Sequence, residues 1–321
     1  FGDRGIPYFY RHMDGFGSHT FQWLNAKGHA FWVKYHFKTD QGVQCLASAD
    51  AARIAGENPN FHHLALLQAF DRSEFPSWTV HIQMMPIADA DTYRFNPFDV
   101  TKVWPHRDYP LMEIGKLTLN RNPDNYFAEV EQSAFNPANF VPGIGPSPDK
   151  MLQGRMFSYG DAHRYRLGIN HTQLPVNRPH ATEARNCGRD GAMRFDGNGG
   201  RSKNYEPNSD NGPAQPNDPP YAGIGIHGLT GSHPWVKHRE DDDFVQAGML
   251  YRVMTEDEKK RLIENIADGL SRVCREDVIE RSIGYFRKAD ADYGERLAKA
   301  VQTLRSRKAA QAIAMCLIRG R

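Results

Sequence analysis

Ser147-Pro148-Asp149-Lys150-Met151-Leu152-Gln153-Gly154-Arg155-Met156-Phe157-Ser158-Tyr159-Gly160-Asp161-Ala162-His163-Arg164-Tyr165-Arg166-Leu167-Gly168 is the stretch around which the 321-residue chain is organised. Ser147 is a good N-cap, a proline follows at the first helical position, and Gly168 suits a left-handed C-terminal residue. These signals predict a helix between them. Met151, Arg155, Tyr159 and His163 recur every four residues and share one drifting stripe. Arg166 falls seven residues after Tyr159, on nearly the same side. A helix that lines up arginine, tyrosine and histidine presents polar chemistry rather than burying an apolar face.

Arg155 and Tyr159 are informative together. A phenol ordinarily ionises near a pKa of ~10, so holding one as phenolate at neutral pH costs roughly 4 kcal/mol. A guanidinium ~4 Å away returns on the order of 4 kcal/mol at an effective dielectric of ~20. An arginine one turn before a tyrosine therefore supplies much of what a tyrosinate needs, and a metal would supply the rest. On spacing alone, a hydrogen-bonded Arg/Tyr pair remains the commoner reading.

Composition narrows the class. The net charge of +2 points to neither nucleic acid nor an anionic membrane. Cys45, Cys187, Cys274 and Cys316 stand far apart, which argues against a disulfide framework or a zinc site and suits a reducing cytoplasm. No uninterrupted apolar run is long enough for a bilayer. The chain starts at Phe1 without methionine or leader, so the expectation is a fragment whose missing N-terminus leaves a leader open.

Around the central helix, a β-hairpin is expected from His19 to Lys38, turning at Asn25-Ala26-Lys27-Gly28. Its second strand alternates: Phe31, Val33, Tyr35 and Phe37 on one face, Trp32, Lys34, His36 and Lys38 on the other. Short helices follow near 50–56 and 61–73, strands near 78–85 and 113–120, and a helical piece at 126–134. Strands separated by helices with hairpin chemistry give an α+β fold, an antiparallel β-barrel with helical insertions over residues 1–169. Residues 170–240 are dense in Pro, Gly and Asn and read as a long structureless stretch, either disordered or wrapping over other parts of the chain. Beyond 241, Thr255-Glu256-Asp257-Glu258 starts a helix, and further helical spacing near 275–287 and 292–307 predicts a C-terminal helical bundle.

The run Arg155-Met156-Phe157-Ser158-Tyr159-Gly160-Asp161-Ala162-His163-Arg164-Tyr165-Arg166 resembles the proximal haem-ligand signature of monofunctional haem catalases, a family whose axial ligand is tyrosine. The resemblance continues in order through Arg4-Gly5-Ile6-Pro7, Gly17-Ser18-His19-Thr20-Phe21, Asn96-Pro97-Phe98-Asp99, Lys102-Val103-Trp104-Pro105-His106, Asn120-Arg121-Asn122-Pro123 and Ala128-Glu129-Val130-Glu131-Gln132. It implies haem b, with Tyr159 as iron ligand and Arg155 pairing with it. His19 and Asp149 would continue the hydrogen-bond series behind that arginine. Arg166 would meet a haem propionate and His163 the haem edge, while Ser18, Phe135 and Met151 would touch the porphyrin. For Phe135 and Met151 an ordinary core role is nearly as good a reading.

The small-subunit branch of the family also binds NADPH, at positions matching Arg4, His36, Lys38, Val103, Trp104 and His106. Asp14 stands where the family often has asparagine, and a carboxylate there is unfavourable to a phosphate. The family's distal histidine and asparagine match nothing here. They belong before Phe1, and His12, His62, His63 and His81 lie outside that motif, so no catalytic acid or base is assigned in this chain. The implied reaction is disproportionation of hydrogen peroxide by a homotetramer that protects against oxidative stress, in a catalase-like and here incomplete barrel. The alternatives are a catalase-like enzyme that rearranges lipid hydroperoxides, and a non-catalytic haem- or nucleotide-binding module.

Overall fold

A computed structural model describes residues 1–181, 188–213 and 242–319, with the side chains of 309 and 311–319 excepted. Cys187 and nearly half of the expected wrapping loop, within residues 182–187 and 214–241, lie outside the described residues.

The sheet contains β1 (Gly15–Phe16), β2 (Phe21–Leu24), β3 (Ala30–Thr39), β4 (Ser77–Pro86), β5 (Met112–Thr118) and β6 (Ile144–Gly145). All pairings are antiparallel, in the order β5-β4-β3-β2-β6, with β1 also on β3. The expected hairpin is present, with Phe21 opposite Val33 and Leu24 opposite Ala30. Its turn places Gly28 at φ 81°, in the left-handed region that glycine tolerates. Two helices, α1 (Ser48–Glu57) and α2 (Phe61–Asp71), are inserted between β3 and β4. The strands form an open curled sheet, in keeping with the incomplete barrel expected from sequence.

The alternation on β3 is present, but neither face is simply solvent. Trp32 is buried with Met85, Ala90 and Trp104 under a covering segment that also brings Phe98 and Tyr109. That segment is tied down by Thr20 Oγ1, which donates to the Pro97 carbonyl, and by the Gln83 amide, which donates to the Trp104 and Tyr109 carbonyls. Lys34 is buried beneath it, its ammonium donating to the Lys102 carbonyl at 2.8 Å with the Trp104 ring 5.4 Å away. The piece expected near 126–134 is one π-helical turn, Phe127–Glu131.

α3 (Lys150–Arg166) carries the central stretch, and its N-terminus corrects the sequence reading. Asp149, not Ser147, is the N-cap. Its Oδ1 accepts from the amides of Met151 and Leu152 at 2.9 and 3.1 Å. Ser147 Oγ instead accepts from the Asp149 amide at 3.2 Å. Gly168 closes the other end at φ 119°, its amide bonding the His163 carbonyl. Of the α3 side chains only Leu152 and His163 are buried, as the polar stripe implied.

A second apolar cluster joins α4 (Val245–Val253), α5 (Glu256–Leu270), α6 (Glu276–Ala289) and α7 (Ala291–Arg319) around Leu262, Ile263, Ile266, Ile283 and Leu297. Thr255 and Glu258 form a reciprocal capping box at the start of α5. α4 is absent from the sequence reading because it begins directly after the loop-like region. These helices are pinned to the sheet by Arg261 with Asp3, by Lys102 with Asp243, and by Gln246, whose amide bonds both backbone groups of Val103.

Candidate functional site

Three elements converge behind Tyr159. α3 sets Arg155 one turn before it, and Arg155 Nη2 donates to Tyr159 Oη at 3.3 Å. The loop entering β2 delivers His19, whose Nε2 accepts from Arg155 Nη1 at 2.7 Å. His19 Nδ1 meets Asp149 Oδ2, also at 2.7 Å, with both residues almost wholly buried. Because a guanidinium only donates, this pair of bonds fixes His19 as the neutral tautomer with its proton on Nδ1. The result is an unbroken series: Tyr159, Arg155, His19, Asp149. Asp149 also caps α3, so one carboxylate fixes both the helix and the histidine.

Tyr159 itself is half-buried, with Arg155 and His163 against it. Phe135 is 85% exposed and Met151 55% exposed, so the ordinary core reading fails for both. Two large apolar side chains left uncovered, Met151 two turns before Tyr159 on α3 and Phe135 tethered through His163, together with a phenol paired with a guanidinium suit a flat apolar group that takes an anionic oxygen ligand. The donor set therefore fits haem. Ser18 is exposed in the same loop as His19, at φ 50°.

His163 and Arg166 do structural work that the sequence does not show. His163 is buried, Nε2 bonding the Phe135 carbonyl at 2.8 Å, with its ring 5.9 Å from that of Tyr159. Arg166 donates to the Glu131 and Ser133 carbonyls and to His163 Nδ1. Together they lash the Glu131–Phe135 segment to α3 and so position the Phe135 ring.

The family model described as Catalase matches residues 1–212, well over half of the sequence. The chain belongs to the catalase family. A second family model, described as Catalase-related immune-responsive, matches residues 237–301. The chain is 62% identical to the catalase of Streptomyces coelicolor over 306 residues, which is 95% of this chain and 63% of that protein. It is 63% identical to the bromoperoxidase-catalase of Streptomyces venezuelae over 305 residues, with the same coverage. Among solved structures it superposes on a bacterial catalase with a TM-score of 0.85 at 43% identity, and on catalase A from Saccharomyces cerevisiae with 0.83 at 40%. Each superposition covers 94% of this chain and 62% of the other. The chain thus spans about three-fifths of the length of the relatives it matches. The family resemblance expected from the sequence holds, and the lipid-hydroperoxide alternative is not favoured.

The second set of family positions lies on the outer face of β3, and the structure divides it. His36 and His106 stand with ring centroids 5.9 Å apart, and Phe16 packs edge-on to His36 at 5.6 Å. Lys38 lies over the Phe16 ring and donates to Asp14 Oδ2 at 2.8 Å, and Arg4 reaches the same oxygen at 3.4 Å. Val103 is exposed, whereas Trp104 is 1% exposed and belongs to the core. Trp104 therefore has no free ring face for a ligand, a correction to the sequence reading. Burial pushes His36 down to about 4 against the opposing bond to Gln83, and burial also lowers His106, so both are neutral at pH 7. Burial alone would raise Asp14, but the Lys38 bond, the Thr39 amide and the Lys38 and Arg4 charges outweigh it and hold it ionised.

Sequence reasoning missed Lys34. Burial lowers its ammonium to about 8, opposed by the charges of Asp149 and Asp99. Period-2 counting places Lys34 beside His36 and Lys38, but only the covering segment, distant in sequence, makes it a buried cation behind the Asp149 end of the series.

Proposed function

We propose that this chain binds haem b through Tyr159 and serves the disproportionation of two hydrogen peroxide molecules to two waters and one dioxygen. The observation that carries this reading is the hydrogen-bonded series Tyr159–Arg155–His19–Asp149. Haem iron, when bound, supplies the redox change that passes electrons between the two peroxides. The residues of this chain prepare for it. Arg155 directs an N–H at Tyr159 Oη and favours the phenolate that a ferric ion requires. His19 accepts the other arm of the guanidinium and so prevents it from swinging away. Asp149 holds the imidazole in the tautomer that can accept that bond. Phe135 and Met151 offer apolar walls, and Arg166 retains Nε–H and one Nη1–H for a propionate.

A homotetramer, cytoplasmic placement and a nicotinamide dinucleotide on the outer face of β3 belong to the same proposal. The placement is supported by the free thiols Cys45 and Cys274, and no helix among the described residues is long and apolar enough to cross a membrane.

The test is to titrate haemin into the chain and into Tyr159→Phe, following the absorption spectrum and the haem retained on gel filtration. The wild type should give a phenolate-to-iron charge-transfer spectrum that the variant lacks, with retention reduced at least tenfold. An unchanged spectrum and occupancy in Tyr159→Phe would overturn the ligand assignment. Oxygen evolution decides between enzyme and module: a haem-loaded chain that evolves no more dioxygen than free haemin is a binding module.

A further inference from the structure

We infer that Asp14 makes the outer face of β3 selective for a nicotinamide dinucleotide without a 2′-phosphate, NADH rather than NADPH. The inference rests on the proposal that this face binds a nicotinamide dinucleotide, and it departs from the cofactor implied by the resemblance. Two mobile cations serve the face, Arg4 and Lys38, and both are already paired with one carboxylate. Asp14 is fixed there: Oδ1 accepts the Thr39 amide at 3.0 Å, and the side chain is 8% exposed. It cannot swing aside without breaking that bond.

A phosphate that reached Lys38 Nζ would share the nitrogen with Asp14 Oδ2, two hydrogen bonds through one atom, and so would lie about 5 Å from a fixed negative charge. His36 and His106 lend it no compensating charge, being neutral at pH 7. A dianionic phosphate would thus have to compete with a carboxylate for Arg4 and Lys38, whereas a ribose hydroxyl faces no such competition. A carboxylate close to the ribose is also the arrangement by which other dinucleotide sites prefer the free 2′-hydroxyl.

The test is calorimetric titration of the chain with NADH and with NADPH at one pH and ionic strength, repeated on Asp14→Asn. The wild type should bind NADH at least tenfold tighter than NADPH. Asp14→Asn should tighten NADPH at least tenfold while changing NADH less than threefold, because the amide keeps an oxygen for the Thr39 amide and frees both cations. Tighter NADPH binding by the wild type, or an unchanged preference in Asp14→Asn, would overturn the inference and leave the dinucleotide site standing. Absence of binding by either nucleotide to either protein would overturn the dinucleotide site itself, and the selectivity with it. The wild-type comparison decides the matter even if the variant does not fold.

Discussion

Asp149 carries two loads that substitution can separate. Its Oδ1 caps α3 through the Met151 and Leu152 amides, while its Oδ2 takes the His19 proton at 2.7 Å. Loss of an N-cap costs about 1 kcal/mol. Loss of a buried charge-assisted hydrogen bond costs roughly 1.5–3 kcal/mol, because His19, only 4% exposed, would be left with an unsatisfied N–H. Asp149→Ala loses both, on the order of 3 kcal/mol locally. Asp149→Asn keeps a capping oxygen as good as the native one but turns its NH2 donor toward the His19 N–H, so it spares the cap and loses the second bond, at a cost of about 2 kcal/mol. Hydrogen exchange of the first-turn α3 amides reads this directly, since ~1.4 kcal/mol is a tenfold change. Protection should fall about a hundredfold in Asp149→Ala and about thirtyfold in Asp149→Asn. Equal losses in the two variants, or a fall of less than tenfold in Asp149→Ala, would refute the claim that one carboxylate fixes both the helix and the histidine.

Other consequences are measurable on the same chain. Lys34 titrates near 10.5 when unfolded and at about 8 when folded, so the unfolded chain binds more protons between those values. Stability should therefore rise with pH between 8 and 10.5 by about 3 kcal/mol, and Lys34→Met should flatten that slope in denaturant titrations. His36 has the same sign in another window. Its folded value of about 4 lies below the ordinary 6.5, so stability should fall as pH drops from 6.5 to 4, and His36→Gln should lessen the fall. Leu297 is fully buried in the C-terminal cluster, and Leu297→Ala should destabilise that bundle by about 2–5 kcal/mol in thermal or chemical unfolding. At the start of α5, Thr255→Ala removes half of a capping box and should cost about 1 kcal/mol.

What the sequence reveals of this molecule divides along a physical line. Features set by neighbours in the chain are legible. The hairpin follows from alternation and a Gly28 turn, the α5 start from Thr255 and Glu258, and the four-residue spacing alone brings Arg155 to Tyr159. His19 is different. Nothing local in Gly-Ser-His-Thr-Phe says that its partner lies 130 residues away, and only the family motif linked it to Asp149. The N-cap shows the same limit at short range. Ser147 and Asp149 are both good caps, and the choice fell to Asp149 because the residue that reaches His19 must sit at the helix mouth. Trp104 and Lys34 went unread for the converse reason. Lys34 is buried only because the 96–109 segment folds back over β3 and β4, and Trp104 is buried as part of that segment.

That covering segment connects the two halves of the argument about function. It buries Lys34 close enough to Asp149 for the carboxylate to raise the ammonium's affinity for its proton, and the same strand, two residues on, presents His36 to the outer face. The two proposed sites are therefore opposite ends of one buried polar layer built on β3. Neutralising Lys34 should alter the Asp149 end while leaving the Arg4, Lys38 and Asp14 cluster intact. Lys34→Met ought to change first-turn protection in α3 while leaving the NADH-to-NADPH preference within threefold of the wild type. A variant that moved both, or neither, would show that the layer packs the two faces together without coupling its charges.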